Sequence, residues 1–167
     1  MPQLVWLRRY KYEIVIIPLV IIADRLTKQW VLAYLPRGEL HSLLPGFVSL
    51  FFTTNTGAAF SMLAEHTGIL ALLSSAVLLF MIYSYREVCA TSLLGRFGWI
   101  LVFAGAVGNL WDRLTAGFVV DFLSFDFITF PVFNVADMAI TCGALLFAAG
   151  ILREHHLPKE VGDGSRE

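Results

Sequence analysis

Four long apolar stretches constrain this chain more than any other feature. A bilayer hydrocarbon core about 30 Å thick takes roughly 17–25 apolar residues at about 1.5 Å each. Tyr12–Tyr34, Gly68–Tyr85, Phe97–Leu114 and Val135–Leu152 all meet that length. Hydrophobic residues fill 57% of the 167 positions and charged ones only 15%, against about 25% charged in soluble domains. An all-α membrane protein with four transmembrane helices is therefore expected, as one integral membrane unit over residues 1–167. Basic residues (Arg8, Arg9, Lys11) precede the first stretch. Asp24, Arg25 and Lys28 interrupt it, however, and no small-residue cleavage site follows, so it reads as a span and not as a cleaved leader.

Charge placement sets the orientation. Arg8, Arg9, Lys11, Arg86, Arg96, Arg153, Lys159 and Arg166 fall in the N-terminus, the 86–96 loop and the C-terminal tail, 153–167. The two other connecting segments, 35–67 and 115–134, hold only Arg37. By the positive-inside rule both termini are expected in the cytoplasm and the two poorer segments outside. The polar tail is expected to fray. Gly46–Thr53 and Phe118–Phe133 are rich in Phe, Val and Ile with partial alternation, and read as short strands at the membrane surface. The net charge is −1 and no basic stripe is present, so no nucleic-acid partner is expected.

Ionisable groups inside a span cost at least a few kcal/mol and need a partner or a role. Asp24 and Lys28 lie in the outer half of the first span. Asn109, Asp112 and Arg113 end the third, and Asn134 and Asp137 begin the fourth. Three helices thus carry polar groups to one depth on one side, whereas a transporter would be expected to carry them through the whole depth. On the third helix Gly98, Gly105, Gly108, Asn109, Asp112 and Arg113 share a side. Ala104 and Gly108 form a small-xxx-small pair that suits close helix approach.

Plainer roles compete for each residue. Asp24 and Lys28 suit a simple i,i+4 ion pair. Asp112 and Arg113 suit an interfacial anchor. Asn134 and Asp137 suit a helix N-cap and its N3 partner. Asp126 reads as a solvated loop acid.

Elimination leaves carboxylates as the candidates for chemistry. The histidines (His41, His66, His155, His156) form no ligand cluster, and neither H-E-x-x-H nor C-x-x-C occurs, so no metal is expected. Ser74 and Ser75 have no histidine within the membrane and no G-x-S-x-G around them. Cys89 falls in the expected cytoplasmic loop and Cys142 within a helix, away from the polar depth; both read as passive thiols. Asp121 follows the third span, and Asp137 lies 16 residues further on. That chain length lets both reach one outer face. Two aspartates held together near a low-dielectric boundary share a proton, and such a pair can activate water and protonate a leaving amine.

The motifs then add up. Asp24-Arg25-Leu26-Thr27-Lys28 fits D-x-x-[ST]-K, and Asn55-Thr56-Gly57-Ala58-Ala59-Phe60 fits N-x-G-A-A-F. Gly105 to Arg113 fits G-x-x-G-N-x-x-D-R. Val119-Val120-Asp121-Phe122 follows, and Phe133-Asn134-Val135-Ala136-Asp137 fits F-N-x-A-D. In these five ordered elements the chain resembles the signal peptidase II family, the lipoprotein signal peptidases of bacteria.

The resemblance implies an aspartic endopeptidase of the cytoplasmic (inner) membrane with its site at the periplasmic face. It implies cleavage before the lipobox cysteine of prolipoproteins that already carry a diacylglyceryl group, inhibition by globomycin-type compounds, and no cofactor. Asp121 and Asp137 carry over as the catalytic pair. Asn55, Gly57, Asn109, Arg113 and Asn134 carry over as supporting or substrate-contacting residues, and Asp24 and Lys28 as structural support. The outer segments resemble the family's extracytoplasmic β-cradle with an adjacent short helix. The expected partners are lipidated prolipoproteins and membrane lipid, with the chain itself monomeric.

Overall fold

Lys11–Tyr34 forms helix α1, Thr67–Thr91 α2, Leu93–Thr115 α3 and Val135–His156 α4; strands β1 (Leu40–Leu44), β2 (Val48–Asn55) and β3 (Val119–Phe125) lie between them. The computed structural model describes residues 9–57 and 66–156. Ala58, Ala59 and Phe60 of the second motif, and the tail from residue 157, lie outside the described residues.

Thr67–Glu87 of α2, the whole of α3 and Val135–Glu154 of α4 are each long and apolar enough to cross a bilayer. α1 has 24 residues, about 36 Å of helix, and carries Asp24, Arg25 and Lys28 within its apolar run. The expected 86–96 loop is absent. α2 runs on to Thr91 and α3 starts at Leu93, so the backbone of Cys89 is helical. Nothing from Arg86 to Leu94 breaks a helix except Ser92, whose extended backbone turns the chain and whose Oγ accepts from Gly95 N–H at 3.3 Å. Serine is a strong N-cap residue, and a single cap is enough to join two helices. α4 likewise continues past Leu152 to His156.

α3 and α4 pack more extensively than any other pair of elements, along a seam of small residues. A Cβ on Gly98 would lie 2.5 Å from Phe147 N and 2.6 Å from Gly143 O, and one on Gly105 would collide with Ala136 O. Gly150 faces Gly95 in the same way. The close approach therefore uses Gly95, Gly98 and Gly105 against Ala136, Gly143 and Gly150. Within the expected Ala104/Gly108 pair, Gly108 faces α1 as well, with Asp24 Oδ2 and Ala136 Cβ beside it. Small residues let backbones touch, which is the main source of helix association where lipid supplies no hydrophobic drive.

The strands form one antiparallel sheet in the order β1-β2-β3. Pro45-Gly46 makes the β1–β2 turn: Gly46 has φ +77°, and Phe47 N–H donates to Leu44 O at 2.9 Å. This is the Pro-Gly pattern of a type II turn. β2 matches the strand expected over Gly46–Thr53, whereas β1 was not foreseen. Of the segment Phe118–Phe133 read as strand, only β3 is one, and it stops at Phe125. Beyond it Asp126 N–H turns to Phe47 O, and Phe133 returns antiparallel to Leu123 through two backbone bonds of 2.8 and 2.9 Å. A chain that must double back onto its own strand cannot stay extended over all sixteen residues. One face of the sheet packs on the end of α1, where Phe52, Val120 and Phe122 bury against Val31 and Leu35.

Candidate active site

α3 ends at Thr115, where Ala116 N–H donates to Asp112 O at 2.8 Å and Gly117 adopts φ +78°. A left-handed glycine just past a helix is the usual way to leave it, and here it delivers the chain straight into β3. Alternation along β3 then divides its side chains. Val120 and Phe122 go to the core, while Val119, Asp121, Leu123 and Phe125 line a cleft of about 820 Å³. Thr53, Asn55 and Gly57 reach the same cleft from β2 and its end, Asn109 and Arg113 from α3, and Asp137 from the first turn of α4. A register shift between Leu50 and Thr53 sets Thr53 opposite Asp121 and Asn55 opposite Val119. Asn55 and Asp121 are thereby diagonal neighbours on one face, and Asn55 Nδ2 donates to Asp121 Oδ2 at 3.0 Å.

Asp137 does two jobs at once. Its Oδ2 accepts from Asn134 N–H at 3.1 Å while Asn134 Oδ1 accepts from Asp137 N–H at 3.0 Å, the reciprocal pattern of a capping box. Its Oδ1 accepts from Asn109 Nδ2 at 2.7 Å. The capping role expected of this pair is real, and it leaves the carboxylate on the cleft wall. Asn134, fully buried, sends its Nδ2 to Asp121 Oδ1 at 2.7 Å and to Asn109 Oδ1 at 3.2 Å. The two aspartates are thus linked through the side chains of Asn134 and Asn109. Burial, and then the charge of Asp137, push the Asp121 carboxyl up to about 6; the donors on its two oxygens pull the other way and only partly offset this.

Behind the amides lies an ionic layer. Lys28 Nζ sits 2.9 Å from Asp24 Oδ2, 2.8 Å from Asp112 Oδ2 and 3.0 Å from Asn109 Oδ1. Arg25 pairs with the other oxygen of Asp112, and Asp24 Oδ1 accepts from Ala136 N–H at 3.0 Å. The i,i+4 ion pair expected of Asp24 and Lys28 is present, and it also ties α1 to α3 and to the start of α4. Asp112 belongs to this layer and is not an interfacial anchor. Arg113 lines the cleft, with Nη2 donating to Gly57 O at 3.2 Å and Nη1 to Asn109 O at 3.4 Å. Asp126 is exposed and apart from the site.

Sequence reasoning missed several wall residues. Cys142, expected away from the polar depth, is exposed and lines the cleft with Met138 and Thr141. Only Thr141, four residues on from Asp137, shares its side of the helix by spacing; Met138 and Cys142, one and five residues on, lie about 100° and about 140° round, so spacing gave no signal for them. Phe125, Phe130 and Phe133 line the cleft as well, with ring centroids 4.9 to 5.8 Å apart. Among the described residues no three His, Cys, Asp or Glu side chains gather as a metal site.

Residues 16–153 match the family described as signal peptidase (SPase) II. The chain belongs to the signal peptidase II family. It is 39% identical over 140 residues to the lipoprotein signal peptidase of Latilactobacillus sakei subsp. sakei (strain 23K), covering 81% of this chain and 91% of that one. The counterpart in Streptococcus pneumoniae (strain ATCC BAA-255 / R6) is 38% identical over 140 residues, covering 84% and 92%. A bacterial membrane enzyme solved by the in meso method at 2.3 Å superposes with a TM-score of 0.83 and 28% identity, covering 90% of this chain and 93% of that one. Membership of this family makes the chain a peptidase and a multi-pass bacterial membrane protein.

Proposed function

We propose that this chain removes the signal peptides of bacterial prolipoproteins by aspartic chemistry, cutting before a cysteine that already carries a diacylglyceryl group. The observation that carries this reading is the cleft itself. Two carboxylates, linked through Asn109 and Asn134, face a wall of Phe125, Phe130, Phe133 and Met138. The polar end suits a peptide bond and the apolar wall suits the lipid that a modified substrate brings with it.

Asp121 and Asp137 act as a unit holding one proton. The ionised member takes a proton from water as the water oxygen bonds to the scissile carbonyl carbon. The neutral member gives its proton to the leaving nitrogen as the C–N bond breaks. No covalent enzyme intermediate is needed, and no metal or cofactor enters the reaction. Asn55, Asn109 and Asn134 hold the carboxylates, Arg113 holds Gly57 beside them, and Asp24 and Lys28 brace the helices behind. α1 is the fourth span, both termini lie in the cytoplasm, and the cleft opens at the periplasmic side of the inner membrane. The chain works as one unit over residues 1–167 and as a monomer.

The test is cleavage of a purified diacylglyceryl-modified precursor in micelles. Asp121→Asn and Asp137→Asn each lower kcat by about 10³-fold or more, and the double variant is little worse than either, because residues acting as a unit are not additive. Asp126→Asn cuts normally, and chelators leave the rate unchanged. Substantial activity in Asp137→Asn would reduce that residue to a helix cap and end the aspartic reading.

A further inference from the structure

An amide side chain has two faces of nearly equal shape, one a donor and the other an acceptor. Asn109 and Asn134 therefore have two orientations each, and only one pair of choices gives donors to both aspartates. Asp137 N–H, a backbone donor, fixes Asn134 through its Oδ1, and the group that meets Asn109 from behind lies in α1. We propose that Lys28 is a positioning residue, whose ammonium holds the Asn109 amide and thereby the donor that Asp137 meets; this rests on the aspartic reading above.

An ammonium only donates, and Lys28 is 1% exposed, so water does not take its protons. Its Nζ lies within 3.0 Å of one oxygen each of Asp24, Asp112 and Asn109, as an ion pair with the two carboxylates and as a hydrogen bond to Asn109 Oδ1. The other oxygens of the two carboxylates are held by Ala136 N–H and Arg25. The two ion pairs keep the ammonium in place behind Asn109. Reversing Asn109 would set an NH2 group against it, two donors face to face in a buried site.

With Asn109 Oδ1 held toward Lys28, its Nδ2 must point to Asp137 Oδ1, 2.7 Å away. The second lone pair of Oδ1 takes one hydrogen of Asn134 Nδ2 at 3.2 Å, and the other hydrogen goes to Asp121 Oδ1 at 2.7 Å. Asn134 is itself fixed by Asp137 N–H, which donates to its Oδ1. Lys28 from one side and this backbone N–H from the other therefore agree on the direction of the two amides. With Asn55 on Asp121 Oδ2 and Asn134 N–H on Asp137 Oδ2, every oxygen of the pair receives a donor from the frame. The shared proton is left to the lone pairs that the frame does not occupy. In the reversed arrangement each aspartate would face an amide oxygen, which favours the protonated acid and works against the ionised member.

Removing Lys28 alone strands two buried carboxylates, so the test keeps the charge balanced. The variant K28M/D24N removes one charge of each sign, retains an oxygen at position 24 for Ala136 N–H, and leaves Arg25 with Asp112. It is compared with N109A, and with the two combined, on the lipidated precursor; rates are referred to protein that melts as folded. K28M/D24N is expected to lose about 100-fold or more in kcat, the scale of a small misplacement of reacting groups, with KM within about threefold. N109A is expected to fall similarly. In the N109A background the Lys28 change should add less than about threefold, because a group acting through Asn109 has nothing left to act on.

A charge-balanced variant within about threefold of wild type in kcat overturns the inference and makes Lys28 a structural counter-ion. Full additivity of the two changes overturns it as well. If K28M/D24N does not fold, N109A decides alone, since near-normal kcat there means that the relay has no effect. D121N and D137N run in the same assay. Their retention of activity sinks the aspartic reading itself, whereas their loss beside an active K28M/D24N sinks only the role given to Lys28.

Discussion

Replacing Asp121 by asparagine should change stability in opposite senses at acid and neutral pH. Asp121 is 2% exposed, and its carboxyl is raised from 3.8 to about 6. A raised carboxyl binds its proton more tightly in the folded chain than in the unfolded one. Folding therefore takes up a proton between about pH 4 and 6, and stability falls as pH rises through that window. At 1.36 kcal/mol per pH unit the full cost above pH 6 is about 3 kcal/mol, of which most has developed by pH 7.

The Asp121→Asn variant carries no such cost. Its amide keeps one acceptor but turns an NH2 group toward either Asn55 Nδ2 or Asn134 Nδ2, which costs about 1–3 kcal/mol at every pH. The variant should therefore be the less stable protein near pH 4 and equal or more stable near pH 7. Between the two pH values the difference in stability changes by about 2–3 kcal/mol, or on the order of 5–10 °C in Tm. Thermal melts in one micelle, followed by tryptophan fluorescence at several pH values, measure it directly. Titrating groups that do not interact with Asp121 cancel in the difference between the two proteins. A gap in Tm that stays constant from pH 4 to 7 would refute the claim that burial and Asp137 raise this carboxyl, while a uniformly large loss would make Asp121 a stabilising residue.

Gly98→Ala should lower Tm even though alanine favours helix by about 0.5–1 kcal/mol, because its Cβ would meet backbone atoms of α4 at 2.5 and 2.6 Å and overpacking costs about 1–3 kcal/mol; a rise in Tm would show that the seam yields. Cys142 lines the cleft and is exposed, so a bulky maleimide should block cleavage of the lipidated precursor and Cys142→Ala should abolish that block. Reporter domains fused at Glu167 should read as cytoplasmic and at Glu39 as external, and an external C-terminus would overturn the proposed face of the cleft.

Local periodicity and spacing made much of this protein legible from its sequence. Span length follows from bilayer thickness, so the helices over 12–34, 97–114 and 135–152 agree with the structure to within a turn or so. The i,i+4 pair of Asp24 and Lys28 and the i,i+3 cap of Asn134 and Asp137 depend only on helix geometry, and both are present. Each was a complete account of its residues as far as sequence reaches, because nothing local says what lies on the other side of a side chain.

Tertiary packing decided the rest. Lys28 meets Asn109 across 81 positions and Asn55 meets Asp121 across 66, and contacts at that separation depend on how helices and sheet pack. The same packing chose Gly143 and Phe147 as the neighbours of Gly98, and the cleft as the setting of Cys142. β1 is exposed along its whole length and carries no burial pattern to betray it; pairing with β2 is what makes it a strand. The sequence determined which polar residues a membrane must accommodate. Only the fold decided which oxygen meets which donor, because a hydrogen-bond chain through four elements exists only once all four are in place.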